Sequence, residues 1–199
     1  MRWRGDIGNW VSVRSSGSVS QIAKLKAKIP NREVDGRLSL ISMAIPYRGT
    51  TGNGTYFITA STFEKKCILQ SERMAGLLIN VLSHYQQQGK YHLDEFVVMP
   101  NHFHVLITPA YPITIEKAIQ FIKGGFSCRV KKEFGFAGEI WQTSFYDRRV
   151  RDAGEYVRFR HYIHMNPVRR GLVPQPEEFP YSSAKMKFDE VPQWLKPAA

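Results

Sequence analysis

The sequence has little cysteine: Cys67 and Cys128 stand alone in 199 residues, with no Cys-x-x-Cys pair. That excludes a disulfide framework and a cysteine-built zinc site, and it matches the usage of a reducing compartment. Acidic residues are scarce as well. Seventeen Asp and Glu stand against 28 Lys and Arg, a formal charge of +11, so a polyanion is the expected partner. No run approaches the ~18 uninterrupted apolar residues of a membrane span. The basic N-terminus also lacks the apolar stretch of a signal peptide. A soluble cytoplasmic protein with no membrane partner is expected.

What is present is a globular composition. Hydrophobic residues make up 43% and aromatic residues 13% of the chain, too much for a disordered protein. The composition changes near residue 42. Residues 1–42 hold eight Lys and Arg against three acids, with Ser and Gly interleaved and little periodicity, which reads as a basic, flexible arm. A domain over residues 43–188 and a short tail over 189–199 complete the expected organisation.

Within the domain the hydrophobic period switches several times. A β-rich run over residues 55–61 follows a Gly-Asn-Gly turn and reads as a strand. Residues 71–88 place Met74, Leu77, Leu78, Val81, Leu82 and Tyr85 at helical spacing. Strands over 91–99 and 102–108, joined at Met99-Pro100-Asn101, form a hairpin. Thr114 is the N-cap of a helix to about residue 134, which Gly124-Gly125 would break or kink at ~1 kcal/mol per glycine. A strand over 140–145 or 148–150 follows, then a helix from the N-cap Asp152 to Asn166, stopped by Pro167. The order predicts an α+β fold, an antiparallel sheet covered by helices.

Two groups of residues carry chemistry. His102 and His104 are i and i+2 on a strand, so they share a face while Phe103 points into the core. Lying about 7 Å apart along the backbone, the two imidazoles can hold one metal ion if they converge. Mn2+ suits imidazole, and Mg2+ would need added oxygen ligands. An isolated pair of this kind is more often two hydrogen-bonded histidines. Tyr162 and Asn166 are i and i+4 on a helix, hence neighbours. The Asn166 carboxamide oxygen can complete a site begun by the histidines, with Tyr162 one turn away for attack on a phosphodiester. The plain alternative is a tyrosine packed in a stripe with Tyr156 and Phe159.

From residue 147 to 170 there are seven arginines against three acids. Arg148, Arg149, Arg151, Arg158, Arg169 and Arg170, interleaved with tyrosines, suit phosphate pairing and base stacking; a solvated helix face is the alternative. His164 points off the Tyr162 face and reads as structural or DNA-contacting, and His161 could approach phosphate. Asp94 and Glu95 read as turn or sheet-surface residues.

Met99-Pro100-Asn101-His102-Phe103-His104, followed by Tyr162-Ile163-His164-Met165-Asn166-Pro167-Val168-Arg169-Arg170-Gly171-Leu172-Val173, resembles the REP-associated tyrosine transposases. These are bacterial relatives of the insertion-sequence transposases in the His-hydrophobic-His nuclease superfamily. The intervening Ile140-Trp141-Gln142-Thr143-Ser144-Phe145 and the later Pro180-Tyr181-Ser182-Ser183 fit as well, so the resemblance spans roughly residues 47–183. It implies a ferredoxin-like fold, and a divalent metal, Mg2+ or Mn2+, held by His102, His104 and Asn166. It also implies Tyr162 as nucleophile. Family members cleave single-stranded DNA near palindromic repeats through a 5′-phosphotyrosine, without ATP, and the lack of a P-loop agrees. Asn166 stands where some relatives carry glutamine. Single-stranded or hairpin DNA is the implied partner, and both a homodimer and a monomer remain open. Two competing readings are a domesticated hairpin-DNA-binding protein without cleavage and a metal-dependent hydrolase using water.

Overall fold

The alternating apolar residues on either side of Met99-Pro100-Asn101 fold as the hairpin they predict. The computed structural model describes residues 54–185; the expected arm over 1–42 and the tail over 189–199 lie outside them. The main elements are β1 (Tyr56–Ser61), α1 (Glu72–Gln87), β2 (Tyr91–Met99), β3 (His102–Pro109), α2 (Ile115–Phe134), β4 (Tyr146–Arg149) and α3 (Ala153–Arg169). The sheet is antiparallel throughout in the order β2-β3-β1-β4. With a helix after β1 and another after β3, this is the expected ferredoxin-like α+β arrangement.

Local chemistry sets the helix limits. The Ser71 hydroxyl accepts from Met74 N and the Thr114 hydroxyl from Lys117 N, each at 3.3 Å, so both helices begin on capped N–H groups. Gly135, at φ 64°, ends α2 in the left-handed region. The glycine pair does not break α2, which runs through it without interruption. Gly125 is instead a notch for α1. A Cβ there would lie 2.7 Å from Tyr85 Cε2, whereas one on Gly124 would meet nothing within 4 Å. Gly124→Ala should therefore stabilise by roughly 0.5–1 kcal/mol. Gly125→Ala should destabilise by about 1–3 kcal/mol because the Tyr85 ring is already stacked on Phe121. Urea unfolding of the two variants measures the contrast, and equal effects would refute it.

Sheet alternation divides the interior in two. Ile58, Val98, Phe103, Val105 and Ile107 face α1 and α2, and Phe103 is fully buried against Trp141. Phe57, Val97, Met99 and Leu106 point the other way, toward Tyr156 and Ile163 of α3 and toward Phe179. The histidine-bearing side of β3 is therefore the side that α3 covers.

Three expectations are corrected here. The last strand is Tyr146–Arg149, which shares Arg148 and Arg149 with the second range proposed for it but starts two residues earlier, and Trp141 makes only an isolated bridge with Thr62. Second, Pro167 does not stop α3, which continues to Arg169. The ring removes one N–H, but Gly171 N bonds Val168 O and Leu172 N bonds Pro167 O. With Gly171 at φ 67°, this closes the helix as a Schellman motif three residues later. Third, Glu95 is not a surface residue. Alternation puts Glu95 on the face of Val97 and Met99, the side that α3 covers, and it is 1% exposed.

The outer edge of β2 is covered. Val98 N donates to Tyr181 O at 2.8 Å, and Val97 bridges Ser182, so residues 181–183 lie along the open strand.

Candidate active site

β3 sits between β1 and β2, pairing His104 with Thr59 and Val97, and His102 with Ser61 and Met99. His104 is 3% exposed. Its Nδ1 lies 2.8 Å from Thr59 Oγ1 and its Nε2 lies 3.1 Å from Asn166 Nδ2. An amide nitrogen only donates, so with this amide orientation His104 Nε2 is the lone-pair nitrogen and Nδ1 carries the proton to Thr59. His102 Nδ1 lies 2.7 Å from Asn101 Oδ1; a carboxamide oxygen accepts, leaving the His102 Nε2 lone pair unused. The two rings are 4.8 Å apart, centre to centre.

Both imidazoles are held neutral. Burial, and then the charges of Arg170 and Lys65, push His102 down to about 4. Burial also takes His104 well below its ordinary value, aided by His102 and Arg170. Neutral imidazole is the ligand form. Lys65, in the turn after β1, is a site neighbour that sequence reading missed, because only folding brings that turn to the β3 side.

α3 supplies the rest. Ile163 points into the core, and Tyr162 and Asn166 flank it on the histidine side. The Tyr162 ring is 5.3 Å from His104 and 5.7 Å from Phe57. Tyr162 is 37% exposed, so a substrate can reach its hydroxyl. Asn166 Oδ1 is buried and has no hydrogen-bond partner. An oxygen stripped of water and left unbonded is costly, and here it lies in the side chain that meets His104. The unused His102 lone pair, the His104 lone pair that here accepts from Asn166 and one orphaned amide oxygen suit a borderline-hard divalent cation once the Asn166 amide turns its oxygen toward the histidines. Among the described residues no three His, Cys, Asp or Glu side chains form such a group.

The arginines divide into two sets. Arg148 and Arg151 both pair with Glu155, which is 2% exposed. Burial alone would raise the Glu155 carboxyl, but hydrogen bonds from Arg151 and the charges of both arginines hold it below its ordinary value. These two brace the β4–α3 junction, a role that a count of positive charge cannot reveal. Arg149 lies on β4 against Gly54. Arg158, Arg169 and Arg170 are exposed, and the Arg169 guanidinium stands 5.4 Å over the Tyr162 ring. His161 is exposed. His164 takes a structural partner, Glu95, at 2.7 Å.

The fold is that of the small transposases. The chain belongs to the family described as Transposase IS200 like, whose model matches residues 51–166 and so takes in the histidine pair, Tyr162 and Asn166. It is 26% identical over 136 residues to the REP-associated tyrosine transposase of Escherichia coli K12, covering 65% of this chain and 76% of that one. It is 23% identical over 158 residues to an uncharacterised Haemophilus influenzae protein, covering 64% and 87%. Among solved structures it is similar to the REP-associated tyrosine transposase bound to a REP hairpin. The TM-score is 0.60 at 25% identity, over 76% of this chain and 87% of the other. The resemblance carried by the motifs is borne out for family and fold. No helix among the described residues is long and apolar enough to cross a membrane.

Proposed function

We propose that this chain is a divalent-metal-dependent endonuclease and strand transferase for single-stranded DNA at palindromic-repeat hairpins, with Tyr162 as nucleophile. The observation that carries the reading is the meeting of α3 with β3: Asn166 reaches His104 at 3.1 Å, and the Tyr162 ring stands beside the same imidazole. The hairpin substrate is inferred from the similar transposase solved with a REP hairpin. His102, His104 and Asn166 would hold Mn2+ or Mg2+. Such an ion polarises a phosphate oxygen and stabilises the charge that builds there.

The residues of the chain do the rest. Tyr162 Oη forms a bond to phosphorus as the bond from phosphorus to the 3′-oxygen breaks. The electron pair stays on that oxygen, which takes a proton from solvent as the phenol gives its own up at the exposed face. The product is a 5′-phosphotyrosine and a free 3′-hydroxyl. One phosphoester replaces another, so a 3′-hydroxyl from a second strand can reverse the step without ATP. Arg158, Arg169 and Arg170 would grip the phosphates, while Arg149 extends the basic face along β4. Arg148 and Arg151 would act on DNA mainly by fixing the β4–α3 corner. On this reading a monomer would carry the whole set, with α3 on the sheet of its own chain.

The test uses a 3′-labelled hairpin oligonucleotide, the protein and Mn2+, read on a denaturing gel. Label that migrates with protein, and is lost on adding EDTA beforehand, is the expected result. Tight hairpin binding with no adduct would support the binding-only reading and sink the cleavage chemistry.

A further inference from the structure

α3 lies on the sheet along Ile163, which is fully buried, with a different flank on each side of that line. At about 100° per residue, Arg160 and His164 share one flank, and Tyr162 and Asn166 share the other. The first flank rests on one buried group. Glu95 Oε2 lies 2.7 Å from His164 Nε2, and Glu95 Oε1 lies 3.2 Å from Arg160 Nε. The Ser183 hydroxyl donates to Glu95 Oε2, and Phe96 N donates to Ser183 Oγ at 3.0 Å. Ser183 belongs to the segment that lines the β2 edge, so α3 and that segment converge on one carboxylate of β2.

We propose that Glu95 is a positioning residue, whose carboxylate sets the roll of α3 through Arg160, His164 and Ser183 and thereby places Tyr162 and Asn166 over the histidine pair. Adhesion alone does not call for these charges. Ile163, Tyr156 and the stacked rings of Phe57 and Phe159, 4.5 Å apart, already hold the helix down. Apolar contact of that kind has little directional preference. A buried ion pair is commonly matched or exceeded in stability by apolar replacements, so what Glu95 contributes is direction. A helix with side chains has a radius of 5–6 Å, so a roll of ~15° carries a side-chain atom about 1.5 Å. Reacting groups have to be held within about 0.5 Å, and a 1 Å misplacement can cost ~100-fold in rate.

The functional consequence rests on the roles proposed for Tyr162 and Asn166, but the position itself is measurable without metal or DNA. Protein labelled with 3-fluorotyrosine, with Tyr162 assigned by Tyr162→Phe, should give a fluorine resonance displaced by the Phe57 and His104 rings. The triple variant Glu95→Leu, Arg160→Leu, His164→Leu should melt within a few degrees of wild type. Its Tyr162 resonance should nonetheless move toward the free fluorotyrosine position or broaden. Adduct formation at saturating hairpin should fall about 100-fold, with hairpin affinity within about threefold. A Tyr162 resonance that stays in place overturns the proposal, as does an activity loss that only follows a loss of melting temperature. Should the triple variant not fold, Ser183→Ala gives the same comparison with both charges still paired. There a displaced or broadened resonance supports the clamp, and an unchanged one overturns it. Wild-type protein that forms no adduct counts against the cleavage chemistry, and the fluorine spectrum still decides the clamp.

Discussion

Tyr162→Phe should eliminate the covalent adduct, to less than about one part in a thousand of wild type, while hairpin binding changes by no more than about twofold. The substitution removes one oxygen. It keeps the ring that packs edge-on to Phe57 and His104 and that carries the Arg169 guanidinium. At 37% exposure, the site tolerates that change with a stability shift within roughly 0.5 kcal/mol. Losing a nucleophile outright is the extreme among catalytic substitutions, because no other group forms the bond. Persistent adduct in the variant would move the assignment elsewhere. Tyr146 would be the next candidate, since its ring lies 6.3 Å from Phe57 on the same side of the sheet.

The second large effect separates the two histidines. His104→Ala should abolish the metal-dependent adduct and also destabilise the fold by about 2–4 kcal/mol. The deletion strips Thr59 and Asn166 of a buried partner and removes the ring stacked 5.4 Å from Phe57. His102→Ala should abolish the adduct as well, at a stability cost below about 1 kcal/mol, since its ring is less deeply buried and bonds only its neighbour Asn101. Equal stability losses in the two variants would contradict this geometry.

Acid should expose the same asymmetry. The folded imidazoles refuse protons that the unfolded chain accepts near 6.5, and His102 holds out to about 4. Their contribution to stability is therefore complete above about pH 6.5 and is lost as pH falls toward 4. Denaturant titrations of metal-free protein at pH 7.5, 6 and 5 would follow that loss. The His104→Ala variant should show a shallower dependence.

The elements that carry the site were legible because their patterns are strong. The hairpin, the caps at Thr114 and Asp152 and the pairing of His102 with His104 follow from short-range periodicity. Tyr162 and Asn166 share a face by helical arithmetic alone. The misreadings have a common cause. Glu95 shares the face of Val97 by alternation, but the groups that bury it, Arg160, His164 and Ser183, lie far along the chain, where no local pattern announces them. Pro167 usually ends a helix; here the turn beyond it, through Gly171, restores the bonds. Arg148 and Arg151 look like DNA contacts until Glu155, on the next helix, is seen to claim both. Charge counted along a chain does not say which charges are already answered.

The contacts that complete the site also set the order in which it can exist. His104 waits for Asn166, 62 residues later; Glu95 waits 69 residues for His164 and 88 for Ser183. A chain emerging at roughly 5–20 residues per second exposes the β2–β3 hairpin several seconds before α3 is available to cover it. Until then the two imidazoles face water and their partners do not exist. A nascent or truncated chain that ends before residue 162 contains the Phe57 and His104 rings that surround the nucleophile, yet lacks the helix that sets Tyr162 and Asn166 against them. Competence at this site is acquired only after Ser183 has been made.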